Sequence, residues 1–267
     1  AARARSRDDP LLTFRSLCQE SRTHASSAHP APHAAGADRP PGDAGGEVAM
    51  VGAVGDDADG SAYRARLEDR GIDVSGLVTV DDATTGLAII AVDDDGENTI
   101  IVAPGANARV TDAHLDPLDA LATGDVLLAS LELPLGTVAA GVRRAHAAGA
   151  RVVLNLAPFA ALPADVLALA DPVVVNEHEA GLLRESGTPA PASLLVTLGA
   201  EGAVWGDVEV PASRVSRVVD TTGAGDAFCG ALASALAAGA DREGALVVAA
   251  DAAAVVVQRQ GAQPADD

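Results

Sequence analysis

The chain has 267 residues, 48% apolar and only 2% aromatic, so a sizeable α/β core built on Ala, Val and Leu is within its reach. Its net charge is −20 and all 18 basic residues are arginine, which excludes a P-loop lysine, a Schiff-base lysine and the basic footprint of a nucleic-acid binder. No apolar run approaches the roughly 20 residues of a membrane span, and two cysteines, Cys18 and Cys229, without a CxxC pair argue against a disulfide framework or a zinc ribbon. The expected setting is therefore a reducing cytoplasm, with neither membrane nor nucleic acid as partner.

Composition changes near residue 46. Residues 1–46 carry six arginines and five acids, with clusters such as "SSAHPAPHAAGADRPPGDAGG" and no strand or helix period. They are expected to be disordered or foreign to the fold. From Glu47 the pattern is regular. "EVAMVGAVG" reads as a strand and "DGSAYRARLEDRG" as a helix ending at Gly71. "TTGLAIIAVDDDGENTIIVAPGAN" reads as a hairpin around an Asp/Gly turn. Strands "DVLLAS", "ARVVLN", "DPVVVN" and "SLLVTLG" then alternate with helices "PLGTVAAGVRRAHAAG", "LPADVLALA" and "EHEAGLLRES". Such alternation predicts a mostly parallel sheet covered on both faces. "GAVWGDVEVPA" reads as a second hairpin and "SRVVD" as a short strand, before two Ala-rich helices from about Gly223 and Arg242.

Three stretches carry candidate chemistry. In "VVDTTGAGDAFCGA" glycines stand where a strand gives way to a helix. Uncovered N–H groups and the positive end of a helix dipole together make a phosphate site. Asp226 falls in the first helical turn, either as an ordinary helix-start acid or as a general base beside the phosphate, and its exposure among glycines favours the base. A dinucleotide G-x-G-x-x-G would need glycine at Phe228. In "VVVNEHEAGLL", Asn176 and Glu179 share a helix face and suit either the water shell of Mg²⁺ or a capping box; the capping box is the stronger reading of the pair by itself. Leu182 stands where a zinc-binding H-E-x-x-H would need its second histidine. In "VTLGAEGAVW", Gly199 and Gly202 flank a turn after a strand, which alone is only a turn and, in a sheet whose strands end at a ligand crevice, could border a nucleotide.

Taken together, "DTTGAGDAFCGAL", "NEHEAGLL" and "LVTLGAEGA" resemble the signature motifs of the ribokinase-like (PfkB) sugar and nucleoside kinases, and "PGANARVT", "LELPLGTV", "LNLAPFAALP" and "QRQGAQPA" are similar to the ribose-phosphorylating branch. The resemblance spans roughly Glu47 to Ala265. It implies a three-layer α/β/α ribokinase-like fold with a mostly parallel central sheet and a small β lid, the lid hairpin falling at about 86–103. It implies ATP-dependent phosphorylation of the primary hydroxyl of ribose, with Mg²⁺ and K⁺ as cofactors and a homodimer formed through the lid. Asp226 would be the base, and Gly223, Ala224 and Gly225 would present N–H groups to the transferring phosphoryl group. Asn176 and Glu179 would support Mg²⁺ and the phosphates. Thr197, Leu198, Gly199, Ala200, Glu201 and Gly202, with Ala250, would border ATP, and Glu132 would touch the sugar. Asp220, Thr222, Val256, Arg259, Gly261 and Ala265 match a potassium site, Ala265 standing where a serine is usual. Fructose, 2-keto-3-deoxygluconate or a nucleoside as acceptor, and a non-catalytic nucleotide-binding remnant, are the alternatives.

The family's opening strand, with its sugar-binding Asn and Asp, and its GGKGAN run have no counterpart in residues 1–46. A reading-frame error, a decaying gene copy and a genuine variant are the competing explanations. The tail "GAQPADD" also stops where the family adds a further helix. The expected consequences are a gap in the sheet, an incomplete lid and weak ribose phosphorylation. The acidic, lysine-free surface makes a separate prediction. Screening of its self-repulsion raises the melting temperature between about 0.1 M and 1 M salt, and a thermal melt with no gain would contradict it.

Overall fold

The computed structural model describes residues 12–14, 19–21, 29–31, 47–92 and 98–259. In chain order the elements are β1 (Leu12–Phe14), β2 (Gln19–Ser21), β3 (His29–Ala31), β4 (Ala49–Gly55), α1 (Ala58–Asp69), β5 (Asp73–Val80), β6 (Leu87–Val92) and β7 (Asn98–Ala103). Then follow β8 (Val126–Ala129), α2 (Leu135–Ala147), β9 (Arg151–Asn155), α3 (Ala164–Leu167), β10 (Val173–Asn176), α4 (Glu177–Glu185) and β11 (Leu194–Thr197). The hairpin β12 (Ala203–Trp205) and β13 (Val208–Val210) precedes α5 (Ala224–Ala237) and α6 (Arg242–Val256). Among the described residues no helix is long and apolar enough to cross a membrane.

The main sheet runs β13-β12-β11-β10-β9-β8-β1-β4-β5, parallel throughout except at β12 and β13. Its central strands are apolar on both faces, as strands between two helical layers must be. In β8, Leu127 and Ala129 point into one core while Val126 and Leu128 point into the other; β9 and β10 alternate the same way. The first core packs the sheet against α2, α3 and the 3₁₀ turns between β7 and β8. The second packs it against α5 and α6, where Ala233, Ala245 and Ala249 let the two helices approach closely. Met50 and Val54 of β4 pack with Tyr63 and Leu67 of α1. Because Met50 and Leu128 both align with Thr13 of β1, α1 lies on the α5–α6 face. Each fully buried Leu or Val in these layers contributes about 1.5–3 kcal/mol.

The amino edge of this sheet is riveted by Trp205. Its indole N–H donates to Ser193 Oγ at 2.8 Å, and the guanidinium groups of Arg151 and Arg242 lie 5.6 Å and 4.9 Å from its ring centre. Arg151 also pairs with Asp171 at 2.7 Å. Cation–π contacts and a shared carboxylate thus join β9, β10, β11 and α6.

Residues of the head enter the fold, against expectation. β1 fills the place between β4 and β8, and β2 and β3 extend the β6–β7 hairpin into a four-stranded lid, order β3-β2-β6-β7. The expected gap in the sheet and truncated lid are thereby corrected. Strand pairing is a backbone interaction, and three extended residues satisfy it without any apolar period to announce them. β5 and the two 3₁₀ stretches (Gly105–Arg109 and Asp112–Ala120) were also unexpected. β5 is a partly exposed edge strand, with a bulge against β4 and Gly76 at its centre, so it lacks clean alternation.

Asp57 caps α1. Its Oδ1 accepts from Gly60 N at 2.8 Å and from Thr85 Oγ1 at 2.5 Å, and its Oδ2 accepts from Thr85 N at 2.7 Å. Burial pushes its carboxyl up, but the hydrogen bonds from Thr85 and Gly60 outweigh burial and hold it below the ordinary 3.8. A depressed folded value means that the stabilisation is complete above pH 3.8 and is lost as pH falls through the lower, folded value. Asp57→Ala should therefore cost about 1 kcal/mol at neutral pH. The gap to the native chain should narrow on acidification below 3.8; unfolding curves at pH 7 and near pH 3 check this, and a gap that stays constant counts against it.

Candidate active site

Parallel strands put their carboxyl ends on one edge, and the candidate residues collect there. β10 ends in Asn176, β11 ends in Thr197, and Glu132 lies half-buried in the turn after β8. Across this edge runs the segment 211–222, expected in part as a strand. It is not one. The N–H groups of Val219 and Asp220 donate to the carbonyl of Val257 at the end of α6, at 2.7 and 3.3 Å, and Val218 and Val219 are exposed. With its donors turned to a helix end, "SRVVD" has no ladder to join.

The segment delivers the chain to α5. Asp220 Oδ1 accepts from Thr222 N at 2.9 Å and Thr222 Oγ1 at 2.7 Å, a local turn that folds the chain back. Gly223 follows in the left-handed region, φ +80°, a conformation that other residues rarely adopt. It occupies the N-cap, and no side chain caps α5. α1, α4 and α6 by contrast are capped by Asp57, Asn176 and Asp241. A Cβ built on Gly225 would meet nothing within 4 Å, so the front of the helix is open. Uncapped N–H groups and the helix dipole give this helix start the chemistry to attract an anion, with half-buried Asp226 in the first turn.

This helix start opens into a cavity of about 590 Å³, within the range of small-molecule sites. Of the residues expected to border ATP, Thr197, Gly199, Ala200, Gly202 and Ala250 line it, together with Ala224 and Gly225. Leu198, Glu201, Gly223 and Asp226 do not line it, although each adjoins a residue that does. Gly202 is the corner of the turn. Its φ is +114°, and a Cβ there would fall 2.1 Å from the carbonyl oxygen of Val210. The wall from Ala212 to Val215 with Val218, Thr221 and Phe228, and Ala253 and Ala254 of α6 with its C-cap Val257, escaped sequence reasoning. A signal for the latter was present in α6, where Ala250, Ala253, Ala254 and Val257 recur at helical spacing and are small enough to leave room.

Asn176 and Glu179 stand outside the cavity lining and form a reciprocal capping box. Glu179 N–H donates to Asn176 Oδ1 and Asn176 N–H to Glu179 Oε2, both at 2.8 Å. Burial pushes the Glu179 carboxyl up, against the lowering effects of the Asn176 N–H and of His178. In the expected cation group, the Asp220–Thr222 turn is tied through Val257 to the end of α6, where the Val256 carbonyl accepts from Arg259 N–H at 3.0 Å. Gly261 and Ala265 lie outside the described residues.

A sequence profile described as pfkB family carbohydrate kinase matches residues 39–267. The chain is 34% identical over 239 residues to a ribokinase of Schizosaccharomyces pombe, covering 81% of this chain and 75% of the relative. It is 36% identical over 230 residues to a ribokinase of Bacillus subtilis, covering 82% and 78%. Its fold is similar to that of a Thermotoga maritima ribokinase, TM-score 0.79 at 25% identity, covering 95% and 94% of the two chains. An Arabidopsis thaliana ribokinase solved with ribose and ATP gives a TM-score of 0.78 at 25% identity, with the same coverage.

Two glycines separate fold from site. Gly202→Ala should lower stability by more than about 1 kcal/mol, because the turn cannot take a side chain. Gly225→Ala has room and a better helix former, so its melting temperature should hold or rise while phosphate-bearing ligands bind more weakly. Thermal melts and nucleotide titrations of both variants check the contrast.

Proposed function

The chain belongs to the pfkB family of carbohydrate kinases, and from that premise we propose that it transfers the γ-phosphoryl group of ATP to the primary 5-hydroxyl of D-ribose, giving ribose 5-phosphate and ADP. The observation that carries this reading is the uncapped start of α5, opening into the cavity at the carboxyl edge with Asp226 in its first turn. Nucleotide is held between the turn 199–202 and the inner face of α6, which sets its phosphates toward Gly223, Ala224 and Gly225. Their N–H groups stabilise charge on the transferring group, an arrangement whose benefit is preorganisation. Asp226 accepts the proton of the sugar hydroxyl as its oxygen bonds to phosphorus, the bridging P–O bond breaks and ADP departs. Glu132, on the turn after β8, holds a sugar hydroxyl.

The same proposal extends to Mg²⁺ and K⁺. Among the described residues no three His, Cys, Asp or Glu side chains cluster as a self-sufficient metal site. That suits Mg²⁺, which keeps several waters and relies on substrate phosphates; Asn176 and Glu179 would hold its water shell. Asp220, Thr222 and Val256 offer oxygen donors appropriate to K⁺, beside the N-terminus of α5. Both ions supply positive charge to the phosphates when bound. A homodimer through the lid is supported by the exposed edge strand β7, on which Val102 is 55% exposed. A cytoplasmic setting accords with Cys229 being a buried thiol of the α5–α6 core.

Sugar-dependent ADP release, screened over ribose, fructose, 2-keto-3-deoxygluconate and a nucleoside, tests the reading. Ribose should be the preferred acceptor. Asp226→Asn should reduce kcat by about 10²–10⁴-fold with ATP affinity little changed. Nucleotide binding without sugar-dependent ADP release would instead make the chain a non-catalytic remnant, a reading favoured by the missing GGKGAN run.

A further inference from the structure

The β6–β7 hairpin of the lid meets the body through two short roots, residues 83–86 leading into β6 and residues 104–106 leaving β7. Both converge on one knot at the carboxyl end of β4. The chain at Ala83–Thr85 passes so close to Gly55 that a Cβ there would fall 2.4 Å from Ala83 O and 2.5 Å from Thr85 N. On its other side a Cβ at Gly105 would fall 2.3 Å from Thr84 O and 2.9 Å from Gly86 N, and Gly105 holds φ +53°. The entering root is thus threaded between two glycines. Ala106 N–H donates to Thr84 O at 2.8 Å and ties the leaving root to the entering one.

Thr85 is the centre of the knot. It is only 6% exposed, and its hydroxyl accepts from Gly55 N at 3.0 Å while donating to Asp57 Oδ1 at 2.5 Å. Its own N–H donates to Asp57 Oδ2 at 2.7 Å. Gly60 completes the fit, since a Cβ there would lie 2.4 Å from Gly55 O and 2.8 Å from Thr85 Oγ1. One hydroxyl and one carboxylate therefore fasten β4, the start of α1 and the entering root, to which the Ala106 N–H bond ties the leaving one. A plain helix cap needs only the bond to Gly60; the bonds to Thr85 serve the lid.

We propose that Thr85 and Asp57 are positioning residues that set the stance of the lid over the sugar end of the site. The inference rests on the kinase reading only for what the lid covers; the mechanical claim stands on the knot itself. Losing the Thr85 hydroxyl frees the roots, so the lid opens more often, while the nucleotide cavity between the turn 199–202 and α6 is untouched.

Hydrogen exchange on the full chain tests it. In Thr85→Val, amides of β6 and β7 should exchange about tenfold faster, the effect of one lost buried hydrogen bond. Amides of α1 and β8 should hold their native rates, and Thr85→Ser should restore the lid. Asp57→Asn is the second variant: its carbonyl still caps α1, but its amide turns a donor toward Thr85 N–H, and the same lid amides should quicken. Unchanged lid exchange, or acceleration shared by α1 and β8, overturns the proposal. Ribose-dependent ADP release by the native chain tests the kinase reading separately, and the exchange result decides the knot even where that release is absent. Where release is present, both variants should raise KM for ribose about tenfold and leave KM for ATP unchanged; equal rises in both would mark a merely structural residue and overturn the positioning role.

Discussion

Parallel pairing from β11 through β10, β9, β8, β1 and β4 to β5 brings successive carboxyl ends to a single edge, and every candidate group depends on that alignment. Asn176, Thr197 and Glu132 come from different strands, yet the ladder places them on the same rim. α5 returns across the sheet and presents its N-terminus there. The sheet can hold this arrangement because both of its faces are sealed, by α2 and α3 on one side and by α1, α5 and α6 on the other. Without that sealing the apolar strands would be exposed, and the rim would have no fixed geometry.

The chemistry at the rim is assembled from backbone rather than from long cationic side chains. A chain without lysine, carrying a net charge of −20, still has to receive a polyanion. Its local answer is the start of α5, where Gly223 turns the chain and leaves the helix uncapped. Backbone N–H groups are fixed in place by the helix and need no ordering when the phosphate arrives. Arg214, on the segment that walls the cavity, is the one cationic side chain among the described lining residues. The starts of α1, α4 and α6 are closed by Asp or Asn side chains; α2 and α3, behind Pro134 and Pro163, share the lack of a side-chain cap with α5, but it is the start of α5 that opens into the cavity.

Much of this was legible in the chain itself, for physical reasons that differ by element. β8 to β11 and their helices stood out because strands buried on both faces must be continuously apolar, and their flanking turns are rich in Gly and Pro. The motifs at Asn176, Gly199 and Gly223 were visible because turns with special backbone geometry restrict residue type. β5 stayed hidden because a bulged edge strand, buried only at its centre, imposes no alternating pattern. "SRVVD" misled because its valines are apolar but exposed, and its N–H groups answer to the Val257 carbonyl rather than to a neighbouring strand. β1 to β3 stayed hidden because three paired residues leave no period. The Asn176–Glu179 pair illustrates a further limit. One spacing serves both a capping box and a cation's water shell, and the folded chain displays the box.

The Trp205 rivet sits at the opposite edge of the sheet from all of this. It joins β9, β10, β11 and α6 where the strands begin, through an indole whose ring meets two guanidinium groups. Cohesion and reactivity are thereby assigned to opposite rims of one scaffold. Over evolutionary time the two can drift independently: loops at the carboxyl rim are free to adapt to a new acceptor while the amino rim keeps the sheet closed. A lineage built this way can diversify its substrates without first having to regain a stable fold.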